Sequence, residues 1–272
     1  MKFHFWKMHG ASNDMILVDD RDEHFPAADQ AFITRLAHRR TGIGCEGLIL
    51  IRRAAAPADF AMVFFNPDGR EAEMCGNGAR CVARLAAEQG WAPRSMRFDT
   101  RAGQLAADLL PDGRVRLAMT APHDWRLGRA LAVDGQRLAY SFVNSGVPHT
   151  MIETPDLDAV PVAKLGPPIR HHADFAPRGT NVNFVQVTGP QALRLRTYER
   201  GVEAETLACG TGITACALLA GKLGRVRSPV SVTCGSGDVL EVGYELTADG
   251  ARAVTLTGPA EHCFAGDFTY SG

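Results

Sequence analysis

Two stretches of sequence share one pattern and decide the predicted fold, EMCGNGARC at 73–81 and LACGTGITAC at 207–216. In each stretch a cysteine precedes a Gly-x-Gly segment, and small and apolar residues follow. A glycine-containing turn that leads into such a run predicts the start of a helix. We therefore expect Cys75 and Cys209 each to lie at the N-terminus of a helix.

The two stretches belong to longer segments that match when the chain is shifted by 134 residues. At this shift Cys75 falls on Cys209 and Gly78 falls on Gly212. Further identities are Glu71 with Glu205, Gly76 with Gly210, Ala83 with Ala217, Leu85 with Leu219, Ala86 with Ala220, Gly90 with Gly224 and Gly103 with Gly237. Two copies are too few for a solenoid, so the repeat favours two pseudo-symmetric domains.

Each copy has the same order of predicted elements. The runs at 61–66 and 193–199 are typical of strands and lead into the cysteines, while 98–119 and 232–258 contain short strands joined by turns. The helix predicted after Cys209 is apolar on nearly every face and must be buried. We predict an α+β fold of two pseudo-symmetric domains, each an antiparallel β-sheet or barrel wrapped around a central α-helix, with the active site in the cleft between them.

The domain boundary is expected within MTAPHDWRL at 119–127, where Pro122 and polar residues interrupt the strand pattern. This gives an N-terminal half at 1–120 that carries Cys75 and a C-terminal half at 121–260 that carries Cys209. We expect the tail at 261–272 to complete the first half.

Composition narrows the function classes. The 272 residues carry a formal net charge of -1 with Lys and Arg spread along the chain, which disfavours nucleic-acid and membrane-surface partners. No apolar run approaches the length of a membrane span, and the first ten residues lack the apolar core of a signal peptide. These features predict a cytoplasmic protein with a small-molecule substrate.

The cysteines indicate reduced thiols rather than a structural framework. There are seven, at 45, 75, 81, 209, 216, 234 and 263, and no pair has the C-x-x-C spacing of a zinc site. The adjacent His171 and His172 lie in a loop-like stretch at 171–183 and are read as solvated. We therefore predict no metal, and we read Cys81 and Cys216, two turns inside the predicted helices, as core residues.

A helix N-terminus gives a thiol a chemical role. Its unpaired backbone N–H groups and positive dipole end stabilise a thiolate, and the nearby glycines let a substrate carboxylate approach those donors. Two equivalent thiols on opposite sides of one cleft suit a racemase or epimerase, in which one group removes a proton from carbon and the other returns one. A hydrolase would instead need a nucleophile beside a base.

The chain resembles the diaminopimelate epimerase family over nearly its whole length. The segments that carry the resemblance are FWKMHGASND (5–14), RRTGIGCEGL (39–48), FNPDGREAEMCGNGARC (65–81), NSGVPHT (144–150), GTNVNFVQ (179–186) and YERGVEAETLACGTG (198–212). This resemblance implies cofactor-independent interconversion of the LL and meso isomers of 2,6-diaminopimelate, in lysine and peptidoglycan-precursor biosynthesis, by a homodimeric enzyme.

The resemblance also implies roles for individual residues. Cys75 and Cys209 would be the acid/base pair, and His149 and Glu199 would tune the thiols. The implied substrate-binding residues are Asn13, Asn66, Gly76, Asn77, Asn181, Glu199, Arg200, Gly210 and Thr211. Without the resemblance, Asn13, Asn66 and Asn181 would be read as turn residues. Arg200 would be read as part of a surface ion pair and His149 as a loop histidine.

Some positions depart from the family pattern. Val147 stands where many members have Asn, which removes one contact to the distal end of the substrate. Ser12, Met15, Cys45 and Glu46 replace Gly, Phe, Ala and Asp.

Alternatives from other classes stay open. A pyridoxal enzyme would need a Schiff-base lysine, and none of the four lysines lies in a glycine-rich phosphate-binding context. A racemase of another amino acid, such as histidine, would fit the same fold. A thiol redox or metal-binding protein is the third reading, and it predicts bound metal or an activity-linked disulfide.

Overall fold

Both cysteine-bearing stretches form helices of 13 residues in the computed structural model, which describes residues 1–271. Cys75 and Cys209 are the N-cap residues of these helices, which confirms the predicted placement. The helices of the described range are α1 (Gln30–Ala37), α2 (Gly76–Glu88), α3 (Val162–Arg170) and α4 (Gly210–Lys222), with a 3-10 helix at Ala173–Phe175.

Helices α2 and α4 end in the same way, at the predicted glycines. Gly90 and Gly224 both have φ of 70°, a conformation that glycine adopts without steric cost. In α2 the Trp91 N–H donates to the Ala86 carbonyl oxygen at 2.9 Å, and α4 repeats this bond at the same distance. This hydrogen bond caps the C-terminus of the helix, because it gives a partner to a carbonyl oxygen of the last turn.

Both helices are largely buried, as their composition predicts. Helix α4 is buried continuously from Gly212 to Gly221. Cys81 and Cys216 are fully buried, and burial raises the pKa of Cys81 to about 12 and that of Cys216 well above its ordinary value. These two thiols stay protonated, so their predicted role as core residues is confirmed.

The chain divides into two units. The first comprises Met1–Leu117 and the chain from Gly258 onward, and the second comprises Ala118–Thr257. Gly272, the last residue of the tail expected to complete the first half, lies outside the described residues.

The strands of the first unit are β1 (Lys2–Gly10), β2 (Asn13–Asp19), β3 (Gly47–Arg52), β4 (Phe60–Phe65), β5 (Glu71–Ala72), β6 (Ser95–Thr100), β7 (Gly103–Leu109), β8 (Val115–Ala118, whose last residue belongs to the second unit) and β18 (Glu261–Thr269). Those of the second unit are β9 (His123–Val133), β10 (Gln136–Asn144), β11 (Pro148–Glu153), β12 (Asn181–Gly189), β13 (Ala192–Glu199), β14 (Ala204–Thr206), β15 (Val230–Thr233), β16 (Val239–Leu246) and β17 (Ala251–Gly258, whose last residue belongs to the first unit).

The two units repeat one order of strand pairing. In the first the order is β18-β1-β2-β3-β4-β6-β7-β8, with β5 also paired to β4. In the second it is β9-β10-β11-β12-β13-β15-β16-β17, with β14 also paired to β13. The 134-residue shift superposes the bounds of β1 on those of β10, and the bounds of α2 on those of α4. The duplication therefore extends well beyond the cysteine motifs.

The sheets are mixed, whereas the sequence analysis expects antiparallel pairing. Each unit contains two parallel pairs, β2–β3 and β4–β6 in the first and β11–β12 and β13–β15 in the second. Each of the four helices lies between the two strands of one such pair along the chain. A parallel pair needs a long crossover connection, and these helices supply it.

Two loop assignments are shorter than expected. Strand β9 already begins at His123, so the stretch without regular structure at the expected boundary is limited to 119–122. Likewise β12 begins at Asn181, inside the loop-like stretch at 171–183, and a 3-10 helix occupies part of that stretch.

Candidate active site

Cys75 lies where β5 and α2 meet in the first unit, and its extended backbone, with φ of -133° and ψ of 119°, starts the helix. The first intrahelical bond runs from Ala79 N–H to the Cys75 carbonyl oxygen at 2.8 Å. The N–H groups of Gly76 and Asn77 precede that bond and point out of the helix end. The thiol therefore sits beside backbone donors and the positive end of the helix dipole.

Asn13, at the start of β2, contacts the thiol of Cys75. Its Oδ1 lies 3.6 Å from the Cys75 Sγ and accepts from the Asn77 Nδ2 at 3.3 Å. Its Nδ2 donates to Glu46 at 2.7 Å. The Glu46 carboxylate fixes the orientation of the Asn13 amide, so the oxygen, and not the nitrogen, is directed at the thiol.

A charged network holds this part of β2 in place. Asp14 accepts two hydrogen bonds from Arg39, at 2.7 and 3.0 Å, and pairs with the buried Lys7 at 2.6 Å. Burial raises the pKa of Asp14, but the hydrogen bonds from Arg39 and Lys7 outweigh it and hold that pKa below its ordinary value. Lys7 also donates to the Gly44 carbonyl oxygen.

Arg80 supports the helix end from within α2. It is fully buried, and its Nη2 donates to the Asn77 Oδ1 at 2.8 Å while its Nε donates to the Pro259 carbonyl oxygen at 3.0 Å. Because the Asn77 oxygen is bound to Arg80, its nitrogen is directed to Asn13. The sequence analysis does not find Arg80; its signal is a guanidinium on the buried face of an otherwise small-residue helix.

Cys209 holds the equivalent place in the second unit, as N-cap of α4, with Ile213 N–H donating to its carbonyl oxygen at 2.9 Å. The Thr211 Oγ1 lies 3.5 Å from the Cys209 Sγ. The same Thr211 oxygen lies 2.9 Å from the His149 Nε2. Cys209 is therefore connected through the Thr211 hydroxyl to His149, whereas Cys75 contacts the Asn13 amide.

His149 is fully buried in β11. Burial and, secondarily, the positive charge of Arg200 lower the pKa of His149 to about 3. The imidazole is therefore neutral at physiological pH. The Nδ1 of this ring lies 3.2 Å from the Nδ2 of Asn183, a fully buried residue of β12 that the sequence analysis does not single out.

The strand end at Glu199 and Arg200 presents a carboxylate and a guanidinium. Glu199 Oε2 accepts from the Thr206 hydroxyl at 2.7 Å, and Asn181 Oδ1 accepts from the Arg200 backbone N–H at 2.8 Å. Burial lowers the pKa of the Arg200 guanidinium, and the charges of Arg170 and Arg178 lower it further. In the range 1–271 this half-buried guanidinium makes no ion pair with an acidic side chain, although the negative charge of Glu203 partly offsets those of the two arginines.

The two glycines of each cysteine motif differ in their surroundings. The sequence analysis assigns all four glycines one role, access of a substrate carboxylate to the backbone N–H groups. A Cβ at Gly76 would meet no atom within 4 Å, and one at Gly210 would meet only the Leu256 Cδ2, at 3.1 Å. At Gly78 and Gly212 it would come within 2.8 Å of Ile49 and 2.7 Å of Asn183. The second glycine of each motif is thus needed for packing inside its own unit.

The chain is similar to known proteins over nearly its whole length. The sequence model described as diaminopimelate epimerase matches residues 5–125 and 141–263. The diaminopimelate epimerase of Aquifex aeolicus is 43% identical over 272 residues, with 96% of each chain covered, and that of a Hydrogenobaculum species is 40% identical, with 97% of this chain and 98% of the relative covered. The chain belongs to the diaminopimelate epimerase family.

A solved structure of a probable proline racemase from Agrobacterium radiobacter has the same fold, with a TM-score of 0.71 at 17% identity over 99% of this chain and 93% of that one. Members of the diaminopimelate epimerase family are isomerases, and this chain has their two-domain architecture. The predicted family and the predicted α+β fold of two domains are therefore confirmed.

Within each unit the structure brings some of the predicted site residues together. Cys75, Asn13 and Asn77 form one contact group, and Cys209, Thr211 and His149 form another. Asn66 is exposed in a turn, where its N–H donates to the Arg70 carbonyl oxygen at 2.9 Å. Val147 is half-buried, and its carbonyl oxygen accepts from the Ser145 N–H at 3.2 Å.

Two searches of residues 1–271 are negative. No group of three or more His, Cys, Asp or Glu side chains is arranged to hold a metal ion. No helix in the same range has the length and apolarity needed to cross a membrane.

Proposed function

We propose that this protein interconverts LL- and meso-2,6-diaminopimelate, a step of lysine and peptidoglycan-precursor biosynthesis, without a cofactor. The names of its relatives support this substrate over another amino acid, because the relatives at 37–43% identity are diaminopimelate epimerases. One thiol takes the proton from the α-carbon and the other returns a proton to the opposite face. The proposal requires both sulfur atoms to reach the same carbon.

The observation that carries the proposal is the duplicated cysteine N-cap. Cys75 and Cys209 occupy equivalent positions of equivalent helices, each beside the backbone N–H groups of the first helical turn. A reversible epimerisation needs two proton carriers of the same kind, since each is the base in one direction and the acid in the other. A pair of equivalent thiols meets that requirement, whereas one nucleophile beside a base would not.

The α-carboxylate would be bound by the N–H groups at Gly76, Asn77, Gly210 and Thr211. Negative charge develops on this carboxylate when the α-proton leaves, so donors already in place stabilise the transition state more than the ground state. The open space around a Cβ at Gly76 supports close approach of a ligand to these donors.

The rest of the substrate would be bound by Asn13, Asn66, Asn181, Glu199 and Arg200. Arg200 suits the second carboxylate, because a guanidinium offers two parallel donors and this one lies among positive charges. Glu199 suits an ammonium group as an acceptor. His149 would act on Cys209 through Thr211 rather than by contact with the substrate.

We further propose that the protein works in the cytoplasm as a homodimer. Strand β18 supports an additional contact surface, because most of its residues are exposed and Phe264 leaves 53% of its surface accessible. Light scattering after size-exclusion chromatography would test this assembly, with Phe264→Asp as the variant expected to dissociate it.

Incubation of the reduced, chelator-treated protein with LL-diaminopimelate in deuterated water tests the function. We expect meso product that carries solvent deuterium at the inverted carbon. Cys75→Ala and Cys209→Ala should each slow epimerisation about 100-fold or more, the scale of one general acid or base. Cys45→Ala, which removes a buried thiol outside both cysteine motifs, is the matched control.

Epimerisation at an unchanged rate in either active-site variant would contradict the two-thiol assignment. Activity on histidine but not on diaminopimelate would favour the racemase alternative. A rate that follows the formation of a disulfide instead of proton exchange would favour the redox alternative.

A further inference from the structure

Four side chains of the second unit form one continuous row of hydrogen bonds that ends at Cys209. The row runs from Asn183 Nδ2 to His149 Nδ1 at 3.2 Å, from His149 Nε2 to Thr211 Oγ1 at 2.9 Å, and from Thr211 Oγ1 to Cys209 Sγ at 3.5 Å. The direction of each bond depends on where the protons lie. The partners of Asn183 determine that direction for the whole row.

The Asn183 amide has only one orientation compatible with its neighbours. Its Nδ2 lies 2.9 Å from the Thr150 carbonyl oxygen, which is an acceptor and cannot donate. Its Oδ1 lies 2.9 Å from the Thr197 hydroxyl, which donates to it. Exchanging the amide oxygen and nitrogen would place two acceptors in contact at Thr150. The group facing His149 is therefore an N–H donor.

This donor determines the tautomer of His149. A neutral imidazole has one protonated and one unprotonated nitrogen, and the nitrogen that accepts a hydrogen bond is the unprotonated one. Since Nδ1 accepts from Asn183, the proton lies on Nε2 and is donated to the Thr211 oxygen. The neutral state is itself favoured by complete burial of the ring.

We infer that Asn183 is a positioning residue which, through the Nε2-protonated tautomer of His149, directs the hydroxyl hydrogen of Thr211 at the Cys209 sulfur and so favours the thiolate of Cys209. The Thr211 oxygen accepts from His149, so its own hydrogen is left for the sulfur at 3.5 Å. A hydrogen bond donated to the charged form of an acid favours that form. The inference deepens the proposed function, on which its catalytic meaning rests.

The first unit has no counterpart of this row. At the 134-residue shift Asn183 corresponds to Ile49 and His149 to Met15, both fully buried and apolar. The packing confirms the first equivalence, because a Cβ at Gly78 would meet Ile49 as one at Gly212 would meet Asn183. The row is therefore a specific addition to the Cys209 side of a duplicated scaffold.

Nitrogen-15 NMR of the unsubstituted protein tests the tautomer directly. The chain is labelled at histidine, and His149→Gln identifies the signals of His149 by their loss. We expect an unprotonated Nδ1 and a protonated Nε2 near neutral pH. A protonated Nδ1 would overturn the inference whatever the activity of the enzyme.

The effect on Cys209 is measured by the pH dependence of its alkylation by iodoacetamide, followed on the Cys209 peptide by mass spectrometry in the absence of substrate. Asn183→Leu and Thr211→Val should each lower the alkylation rate below the midpoint of the profile about tenfold, the scale of one hydrogen bond to a charged group. The double variant should equal the single variants, because both act through one hydroxyl. Ser141→Ala, which removes the hydrogen bond that another buried side chain of this unit accepts from the Gly128 N–H, is the control.

Additive effects in the double variant, or an unchanged profile in Asn183→Leu, would overturn the inference. Should Asn183→Leu fail to fold, the double variant Asn183→Ile/His149→Met places there the pair that the chain uses at 49 and 15. These measurements need no substrate, so their failure is distinguishable from failure of the proposed epimerase activity.

Discussion

Asn13 and Cys75 are joined by a contact of 3.6 Å between the amide oxygen and the sulfur, and the amide nitrogen of Asn13 is bound to Glu46. The sulfur therefore faces an acceptor, which is compatible with a protonated thiol. At Cys209 the sulfur faces the Thr211 hydroxyl. Equivalent thiols of a duplicated fold thus have different side-chain neighbours, an amide oxygen at Cys75 and a hydroxyl at Cys209.

Asn13→Asp should reduce the thiolate fraction of Cys75, because a carboxylate beside a thiol disfavours a second negative charge. We expect alkylation of the Cys75 peptide at pH 8 to slow about tenfold, which corresponds to one unit of pKa. Gln104→Glu introduces the same charge at an exposed position of β7 and should leave the rate unchanged. Faster alkylation in Asn13→Asp would contradict the assigned contact.

Arg200→Lys should weaken substrate binding, because an ammonium cannot supply two parallel donors to one carboxylate. We expect KM for diaminopimelate to rise roughly 10- to 100-fold, the range for hydrogen bonds between charged groups, with a smaller change in kcat. The control is Arg126→Lys, which changes a guanidinium already paired with Asp124 at 2.8 Å. An unchanged KM would remove Arg200 from the proposed binding site.

His149 should make the protein less stable in acid. Its pKa is about 3 when folded and 6.5 as the ordinary value, so between these pH values the unfolded chain binds more protons and the free energy of unfolding falls as the pH drops. Between pH 7 and pH 5 the loss from this residue should be about 2 kcal/mol.

Urea denaturation of His149→Gln at both pH values should show that much less acid sensitivity than the unsubstituted protein. His123→Gln, a substitution of an exposed histidine, should leave the acid sensitivity as it is. Equal pH dependence in His149→Gln and the unsubstituted protein would show that His149 is not held neutral.

Gly212→Ala and Gly76→Ala should differ although both glycines belong to a cysteine motif. A Cβ at Gly212 would lie 2.7 Å from Asn183, inside contact distance, whereas one at Gly76 meets no atom within 4 Å. We expect Gly212→Ala to lower the free energy of unfolding by about 1–3 kcal/mol, as overpacking does, and Gly76→Ala to change it by less than about 0.5 kcal/mol. Equal stability of the two variants would contradict the packing role of Gly212.

Helices α2 and α4 can be predicted from the sequence because the residues that indicate them are close together in the chain. A cysteine, a Gly-x-Gly turn, small residues and a terminal glycine all lie within one helix length, and the second copy repeats them. Helices α1 and α3 have weaker signals, because each is shorter than ten residues and α3 contains Pro167 and Pro168. Without α1 and α3 the crossovers of β2–β3 and β11–β12 are not visible in the sequence. The other two crossovers, α2 and α4, are predicted as helices, but their signals do not show that the strands on either side run parallel.

The residues behind the thiols could not be read from local patterns. Asn183 and Arg80 act from buried positions whose partners are distant in sequence, such as Thr150 and Pro259. One signal was available for Asn183, since it follows Asn181 by two residues and therefore lies on the same face of β12. A second signal is that Asn183 corresponds to Ile49 at the 134-residue shift, so the two halves differ in chemistry at this position.

The constant offset between the halves lets the surroundings of each thiol differ independently. Met15 corresponds to His149 and Ile49 to Asn183, so equivalent positions hold side chains of different chemistry. In an assembly of two identical halves, every substitution would change the surroundings of both thiols at once. In this chain each half has its own sequence, so a substitution near Cys209 can alter one thiol and leave the surroundings of the other intact.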